Sequence, residues 1–181
     1  MSRNDISDDN HSYMARSCDA FETTLAVRPA ETVDIPELVA ILNDIIAKGG
    51  TTAYQDPISE ADLAAMVLDH PDTLFCFVAL APTGQRLGFQ WMEHHAGSPG
   101  YIATFARQQP KVPGVGSALF EATKVASAQA GLTEIIAKIR ADNVPGLAYY
   151  SKMGFRDYDV LPDVPLGDGT KVDRILKRFT L

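Results

Sequence analysis

Cysteine is nearly absent from this chain of 181 residues, which holds only Cys18 and Cys76. One lies in a polar leader and the other inside the apolar run from Thr73 to Leu80. Such a pair makes no disulfide framework and gives no sign of an oxidising compartment. Cys76 reads as a small buried hydrophobe. An excess of positive charge is also lacking: 16 Lys and Arg stand against 23 Asp and Glu, a net charge of −7. Long-range attraction to nucleic acid or to an anionic membrane is therefore not expected. An acidic balance mildly favours a cationic partner. No apolar run approaches the roughly 20 residues of a membrane span, and the opening residues carry no apolar core of a secretory signal. A cytoplasmic protein is the expectation. Internal repeats with the periods of solenoids are missing too.

What is present fits one ordinary domain. Apolar residues make up 46% and charged residues 22%, close to the averages for globular chains, which excludes wholesale disorder, collagen and a coiled-coil rod. Residues 1–22 predict a disordered leader, with Met14 as an alternative start, and 23–181 a single domain. Leu25 to Arg28 reads as a first strand. Asp34 with Glu37 has the spacing of a capping box, followed by Ile35, Leu38, Val39, Leu42, Ile45 and Ile46 at helical spacing. Gly49-Gly50 stops that helix. After the polar-aromatic stretch Thr51 to Pro57, Ser59 and Asp62 cap a second helix carrying Leu63, Met66 and Val67. Thr73 to Leu80 is a strand, apolar throughout and so expected to be covered on both sides. The turn Pro82-Thr83-Gly84 makes a hairpin with Arg86 to His94, and Tyr101 to Arg107 is again strand-like. A helix with Val115, Ala118, Leu119, Ala122, Val125 and Ala126 on its apolar face follows. Then come a strand over Ile135–Ile139, a short helix from Asn143 to Met153 interrupted early by Pro145 and Gly146, and two final strands. The order β-α-α-β-β-β-α-β-α-β-β predicts an α/β protein, a mixed sheet with helices on both faces.

The junction Lys111-Val112-Pro113-Gly114-Val115-Gly116-Ser117 links a strand to a helix. A glycine turn opening a helix aims backbone N–H groups and about half a positive charge at one spot, which suits phosphate. The plain alternative is that the glycines only permit a tight turn. A Walker loop is excluded because Ser117-Ala118 stands where Lys-Ser/Thr would follow Gly116. A dinucleotide fingerprint is excluded by Leu119 in place of its third small residue.

Together with Asn143 and the run Ala148-Tyr149-Tyr150-Ser151-Lys152-Met153-Gly154-Phe155, this loop resembles the GNAT superfamily of acyl-CoA-dependent N-acetyltransferases. The family's Arg/Gln-x-x-Gly-x-Gly/Ala loop and Leu-Tyr-x-Lys-x-Gly-Phe signature both have counterparts, in order, within Leu25 to Phe155. The segment Asn43 and Thr51 to Pro57 is similar to the phosphinothricin and small-amino-acid acetyltransferase branch. The resemblance implies a single GNAT-like domain with a central, mostly antiparallel sheet of about seven strands. It implies acetyl-CoA as co-substrate, no metal, and transfer of the acetyl group to a primary amine of a small molecule. Protein N-terminal or lysine acetylation, or a non-catalytic acyl-CoA-binding module, are the alternatives, and a homodimer joined through the last strands is one option.

The resemblance also assigns roles. Thr104, Phe105 and Ala106 would pair with the pantetheine arm, and main-chain donors of Val112, Gly114, Val115, Gly116 and Ser117 would hold the pyrophosphate, with Lys111 adding charge. Asn143 would bond the cofactor arm. Tyr150 would protonate the departing thiolate. The branch's early Glu on the fourth strand is replaced here by Tyr101, so Glu93, His94 or His95 at the end of the preceding strand is the candidate base, with Glu93 the choice. Pro113 departs from the family's basic residue at that place and has no N–H to give. Thr51–Pro57, Gln90–His95 and Val164–Lys171 are expected to line the acceptor side.

Overall fold

The computed structural model describes residues 25–94 and 99–181. The leader over 1–22, with Met14 and Cys18, and the candidate His95 lie outside the described residues. In chain order the elements are β1 (Ala26–Pro29), a 3₁₀ turn (Thr32–Asp34), α1 (Ile35–Lys48) and α2 (Glu60–Ala64), which runs on as one π-helical turn over Ala65–Asp69. They continue with β2 (Thr73–Leu80), β3 (Arg86–His94), β4 (Gly100–Ala106), α3 (Val115–Gln129) and β5 (Glu134–Arg140). The last are α4 (Val144–Lys152), β6 (Arg156–Pro165) and β7 (Lys171–Thr180). Among the described residues these form a seven-stranded sheet in the order β1-β2-β3-β4-β5-β7-β6. Every neighbouring pair is antiparallel except β4 with β5. The mixed, mostly antiparallel sheet implied by the sequence is the one observed.

Helices cover both faces. On one, α1 and α2 bury Leu38, Ile41, Leu42, Leu63 and Val67 against Cys76, Val78, Phe89 and Trp91. On the other, Phe120 of α3 and Tyr150 of α4 meet Met92, Ile102, Ile135, Ala137 and Phe155. Successive strand side chains point to opposite faces, so Trp91, Ala103 and Phe105 belong to the α1/α2 side while Met92 and Ile102 belong to the α3/α4 side.

Four local expectations are corrected. Asp34 does not cap α1 with Glu37. Its buried carboxylate instead accepts the Glu31 N–H at 2.8 Å, both terminal nitrogens of Arg28 at 2.7 and 2.8 Å, and Arg86 Nε at 2.8 Å. The 3₁₀ turn before α1 moves the helix entry toward Glu31 and turns Asp34 inward. Along α3 the buried face is Val115, Leu119, Phe120, Thr123 and Ser127, whereas Val125 is 54% exposed. Two small hydroxyl residues are hidden and a valine is not, because the sheet beneath α3 selects the face. On β2, Leu74 is 39% exposed, so that strand is not covered along its whole length. Pro145 does not interrupt α4. It sits in the first turn, where its missing N–H costs nothing, and Asn143 is the N-cap.

Candidate active site

The site begins where two strands part. β4 pairs with β5 only over Gly100 to Ile102, opposite Ile135 to Ala137, while β3 accompanies β4 as far as Ala106. Thr104, Phe105 and Ala106 therefore have a strand on one side only. Their other edge offers backbone groups in search of partners, as any unpaired strand edge does. Into this gap opens a cleft of about 440 Å³, walled by Ile102 to Phe105 on one side and by Lys138 to Arg140, Asn143 and Tyr150 on the other.

Beyond β4 the chain turns at Gly114, whose φ of 85° is left-handed and suits glycine, and α3 starts. The first-turn N–H groups of Val115, Gly116 and Ser117 have no acceptor in their own helix. Lys111, Pro113 and Gly114 are exposed around them, and Val112 is half-buried against the cluster of Ala79, Leu87, Val115 and Leu119. Loop residues and helix start fit a phosphate chemically, a ring of donors with a lysine beside it.

Gly116 has a second reason to be glycine. A Cβ there would stand 2.6 Å from Cε2 of Tyr149. The Tyr149 hydroxyl lies against that bare position and donates to the Gly116 carbonyl at 2.8 Å. Its proton thus committed, Tyr149 accepts from Gln90 Nε2 at 3.3 Å, and the same Nε2 donates to Thr104 Oγ1 at 2.8 Å. Thr104 Oγ1 and the Tyr150 hydroxyl are 2.9 Å apart. A hydrogen-bonded line therefore runs from the start of α3 to Tyr150. Gln90 and Thr104 are register partners on β3 and β4, which is why two polar side chains lie in the row that holds Met92 and Ile102.

Tyr150 is 7% exposed and packs edge-on against Phe155, with ring centres 5.1 Å apart. Gly154, at φ 95°, ends α4 in the left-handed conformation, and Phe155 then bonds back to the Tyr150 carbonyl. The Tyr-x-Lys-x-Gly-Phe run is thus a device for holding Tyr150. Burial, with a smaller contribution from Tyr149, raises the Tyr150 pKa well above the phenol value of 10. Burial likewise pushes Tyr149 up to about 12. Both stay protonated at neutral pH and serve as hydrogen-bond donors.

The floor of the cleft is the α1/α2 side of the sheet. Trp91, Glu93, Tyr101, Lys138, Arg140 and Arg174 line it, and Thr51 to Tyr54 form its rim. That rim is tied down: Asn143 Nδ2 donates to the Thr51 carbonyl at 2.7 Å and Arg140 Nη1 to the Thr52 carbonyl at 2.9 Å. Asn143 also caps α4 by accepting the Gly146 N–H at 2.9 Å. Lys138 lies over the Tyr101 ring, 5.3 Å from its centre. Burial and the charge of Glu93 raise the pKa of Tyr54.

Of the residues singled out by sequence, Thr104, Phe105, Asn143, Tyr150 and Glu93 meet in this cleft, while Lys111 to Ser117 form the separate helix-start site. Ala106 continues the open edge between them. His94 does not line the cleft, and its N–H bonds the Asp72 carbonyl. None of Val164–Lys171 lines the cleft; Asp168 of that segment donates its N–H to Gln55 Oε1, next to the rim, at 2.7 Å. Gln90, expected on the acceptor side, does not line the cleft but joins the hydrogen-bonded line through Tyr149 and Thr104, and sequence reasoning missed the cations Lys138, Arg140 and Arg174. A signal existed for two of them: Lys138 and Arg140 alternate with Ala137 and Ile139 on one strand, which puts both on one face. Among the described residues no three His, Cys, Asp or Glu are placed to hold a metal ion, and no helix is long and apolar enough to cross a membrane.

No family model matches the chain. The protein YwnH of Bacillus subtilis (strain 168), whose name marks phosphinothricin acetyltransferase as a provisional assignment, is 27% identical over 160 residues, covering 85% of this chain and 98% of YwnH. A crystal structure with the same provisional assignment, phosphinothricin N-acetyltransferase, superposes with a TM-score of 0.76 at 25% identity over 87% of this chain and 99% of its own. The GNAT superfamily phosphinothricin acetyltransferase of Sinorhizobium meliloti, solved in complex with AcCoA, superposes with a TM-score of 0.74 at 19% identity, covering 87% and 89%. These sequence relatives and structural neighbours are acetyltransferases of the phosphinothricin-acetyltransferase kind, within the GNAT superfamily that the chain's motifs resemble.

Proposed function

We propose that this chain is an N-acetyltransferase that moves the acetyl group of acetyl-CoA directly to a primary amine of a small molecule, in a ternary complex in the cytoplasm. One observation carries the reading: the open edge of β4 leads from the donor-rich start of α3 to a hydroxyl, that of Tyr150, at the mouth of a cleft. A diphosphate on Lys111, Val112, Gly114, Val115, Gly116 and Ser117 and an amide-containing arm along Thr104, Phe105 and Ala106 bring a thioester to that mouth. Asn143 fixes the opposite wall. Acetyl-CoA supplies the activated acyl carbon, and the chain's own groups manage position and protons.

Magnitudes show where help is needed. An alkyl ammonium with a pKa near 10.4 must lose its proton at pH 7, a cost of about 4–5 kcal/mol. A thiol with a pKa near 8.5 leaves more readily. Tyr150, buried and harder to ionise than a free phenol, gives the sulfur a hydrogen bond and hands over its proton late. Glu93 is the acid group that lines the cleft, and we assign it the amine's proton, directly or through water. The rim held by Asn143 and Arg140 favours a small acceptor over a protein segment. The test is release of CoA from acetyl-CoA over a panel of primary amines, for wild type and Glu93→Gln. Turnover on at least one amine, reduced in the variant most at low pH, is expected. Binding of acetyl-CoA with no turnover on any amine would instead make the chain an acyl-CoA-binding module.

A further inference from the structure

Gln90 is fully buried, and its amide is used from one side only. Nε2 donates to Thr104 Oγ1 at 2.8 Å and to the Tyr149 oxygen at 3.3 Å, which engages both of its hydrogens. Oε1 is buried too, with no hydrogen-bond partner among the described residues. An unpaired buried carbonyl is costly, and an apolar side chain of similar shape would avoid that cost. Packing therefore gives no reason for an amide in the row that also holds Met92 and Ile102. What the amide adds is a pair of N–H donors.

Those donors set the sense of each hydroxyl along the line. The Gly116 carbonyl can only accept, so Tyr149 gives its hydrogen there and receives from Gln90. Thr104 receives from the same nitrogen and still has its own hydrogen to give. The hydroxyl it bonds is that of Tyr150, 2.9 Å away. In the reverse sense Tyr150 would commit its hydrogen to Thr104, whose oxygen already accepts from Gln90. With Thr104 donating, the Tyr150 hydrogen is left for the cleft that Tyr150 lines. Thr104 also works against the burial that raises the pKa of Tyr149 and Tyr150, as a donor to a phenol oxygen does.

We propose that Gln90 is a positioning residue for the proton of Tyr150: by donating to Thr104 and Tyr149 it fixes the direction of the line, so that the Tyr150 hydrogen faces the sulfur of the acyl donor. When the C–S bond breaks, its electron pair goes to sulfur, and sulfur takes the Tyr150 proton. The phenolate left behind is the oxygen that Thr104 already donates to. This inference rests on the acetyltransferase reading given above and deepens it by naming what prepares its acid.

The test uses an amine that the wild-type protein acetylates, and reads kcat, the KM for acetyl-CoA and the melting temperature. Gln90→Met removes the donors and fills their space. Thr104→Val removes the hydroxyl, keeps the branched shape and does not depend on how Gln90→Met packs. Each is made alone and together with Tyr150→Phe. The expected result is a fall in kcat of about 10-fold for either variant alone, with the KM for acetyl-CoA unchanged. Thr104→Ser, which keeps a hydroxyl, recovers most of what Thr104→Val loses. In the Tyr150→Phe background neither variant lowers kcat further, because the group they position is gone. Equal losses with and without the Tyr150 hydroxyl overturn the inference, since Gln90 would then act through packing alone. An unchanged kcat in Gln90→Met, or a loss carried by the KM for acetyl-CoA, overturns it as well. Each of these leaves the acetyltransferase reading intact. Absence of turnover by the wild type on any amine removes that reading and the inference with it.

Discussion

Two groups of arginine are built against this sheet, and they are completed differently. At the start of β3, Arg28 and Arg86 close on Asp34, while Glu37 takes Arg86 at 3.1 Å and Arg107 at 3.6 Å. Each of those cations has its carboxylate inside the fold. Where β5 and β7 run together, the Arg174 guanidinium makes no hydrogen bond or ion pair with a described residue, and Asp142, the carboxylate that acts on its charge, bonds Arg140 instead. The first group ties β1, α1 and β3 to one another. The second is held in place by the sheet and lines the cleft.

The largest effect expected of that difference is on stability. Asp34→Asn leaves two guanidinium groups short of a partner and should cost about 4 kcal/mol in urea unfolding. Arg174→Gln should cost little or nothing in the same measurement, and a comparable loss would mean that Arg174 is paired after all. The acid limb tells the same story. Burial alone would raise the Asp34 pKa, but the bonds from Arg28, the Glu31 N–H and Arg86 outweigh it and hold the group at about 2 against 3.8 when unfolded. The unfolded chain then binds more protons in that window, so the contribution is present above pH 3.8 and is lost as pH falls toward 2. It amounts to about 2 kcal/mol at 1.36 kcal/mol per unit, read as the unfolding midpoint against pH.

Next in size is the hydroxyl of Tyr150. Tyr150→Phe keeps the packing against Phe155 and should lower kcat about 100-fold with little change in melting temperature. A large loss of stability with unchanged kcat would make Tyr150 a packing residue. Gly116→Ala puts a Cβ into the Tyr149 ring and should cost about 2 kcal/mol of stability. Because the ring must move, kcat should fall along with acetyl-CoA affinity. The smallest expected effect is at the helix start itself. Pro113→Lys adds a charge beside the α3 N-terminus and should tighten acetyl-CoA binding by about 0.5 kcal/mol, measured by calorimetry.

Much of this was legible in the sequence because it is local. The strand Thr73–Leu80, the Ser59–Asp62 cap, the glycine turn at Gly114 and the order of the elements each depend on neighbours along the chain. The Tyr150 motif was legible for the same reason, since Gly154 and Phe155 act on a residue one turn away. What stayed hidden depends on partners far away in sequence. Asp34 looked like a helix cap until Arg86 was folded onto it. Val125 was placed on the apolar face of α3, which in fact buries Thr123 and Ser127, because periodicity gives the existence of a face and not its rotation. Arg174 had no local signal at all. Only the antiparallel register of β7 on β5 brings it beside Arg140, and only the parting of β4 and β5 opens a cleft above them.

The measurement that bears most directly on the account is titration with acetyl-CoA, by calorimetry and thermal shift, of wild type and Gly116→Trp. Acetyl-CoA at about 100 times its Kd should add roughly 2.7 kcal/mol of stability to wild type, and Gly116→Trp, with the helix start blocked, should gain none. No stabilisation of wild type, or equal stabilisation of both, would contradict the assignment of the α3 start and the β4 edge to the acyl donor.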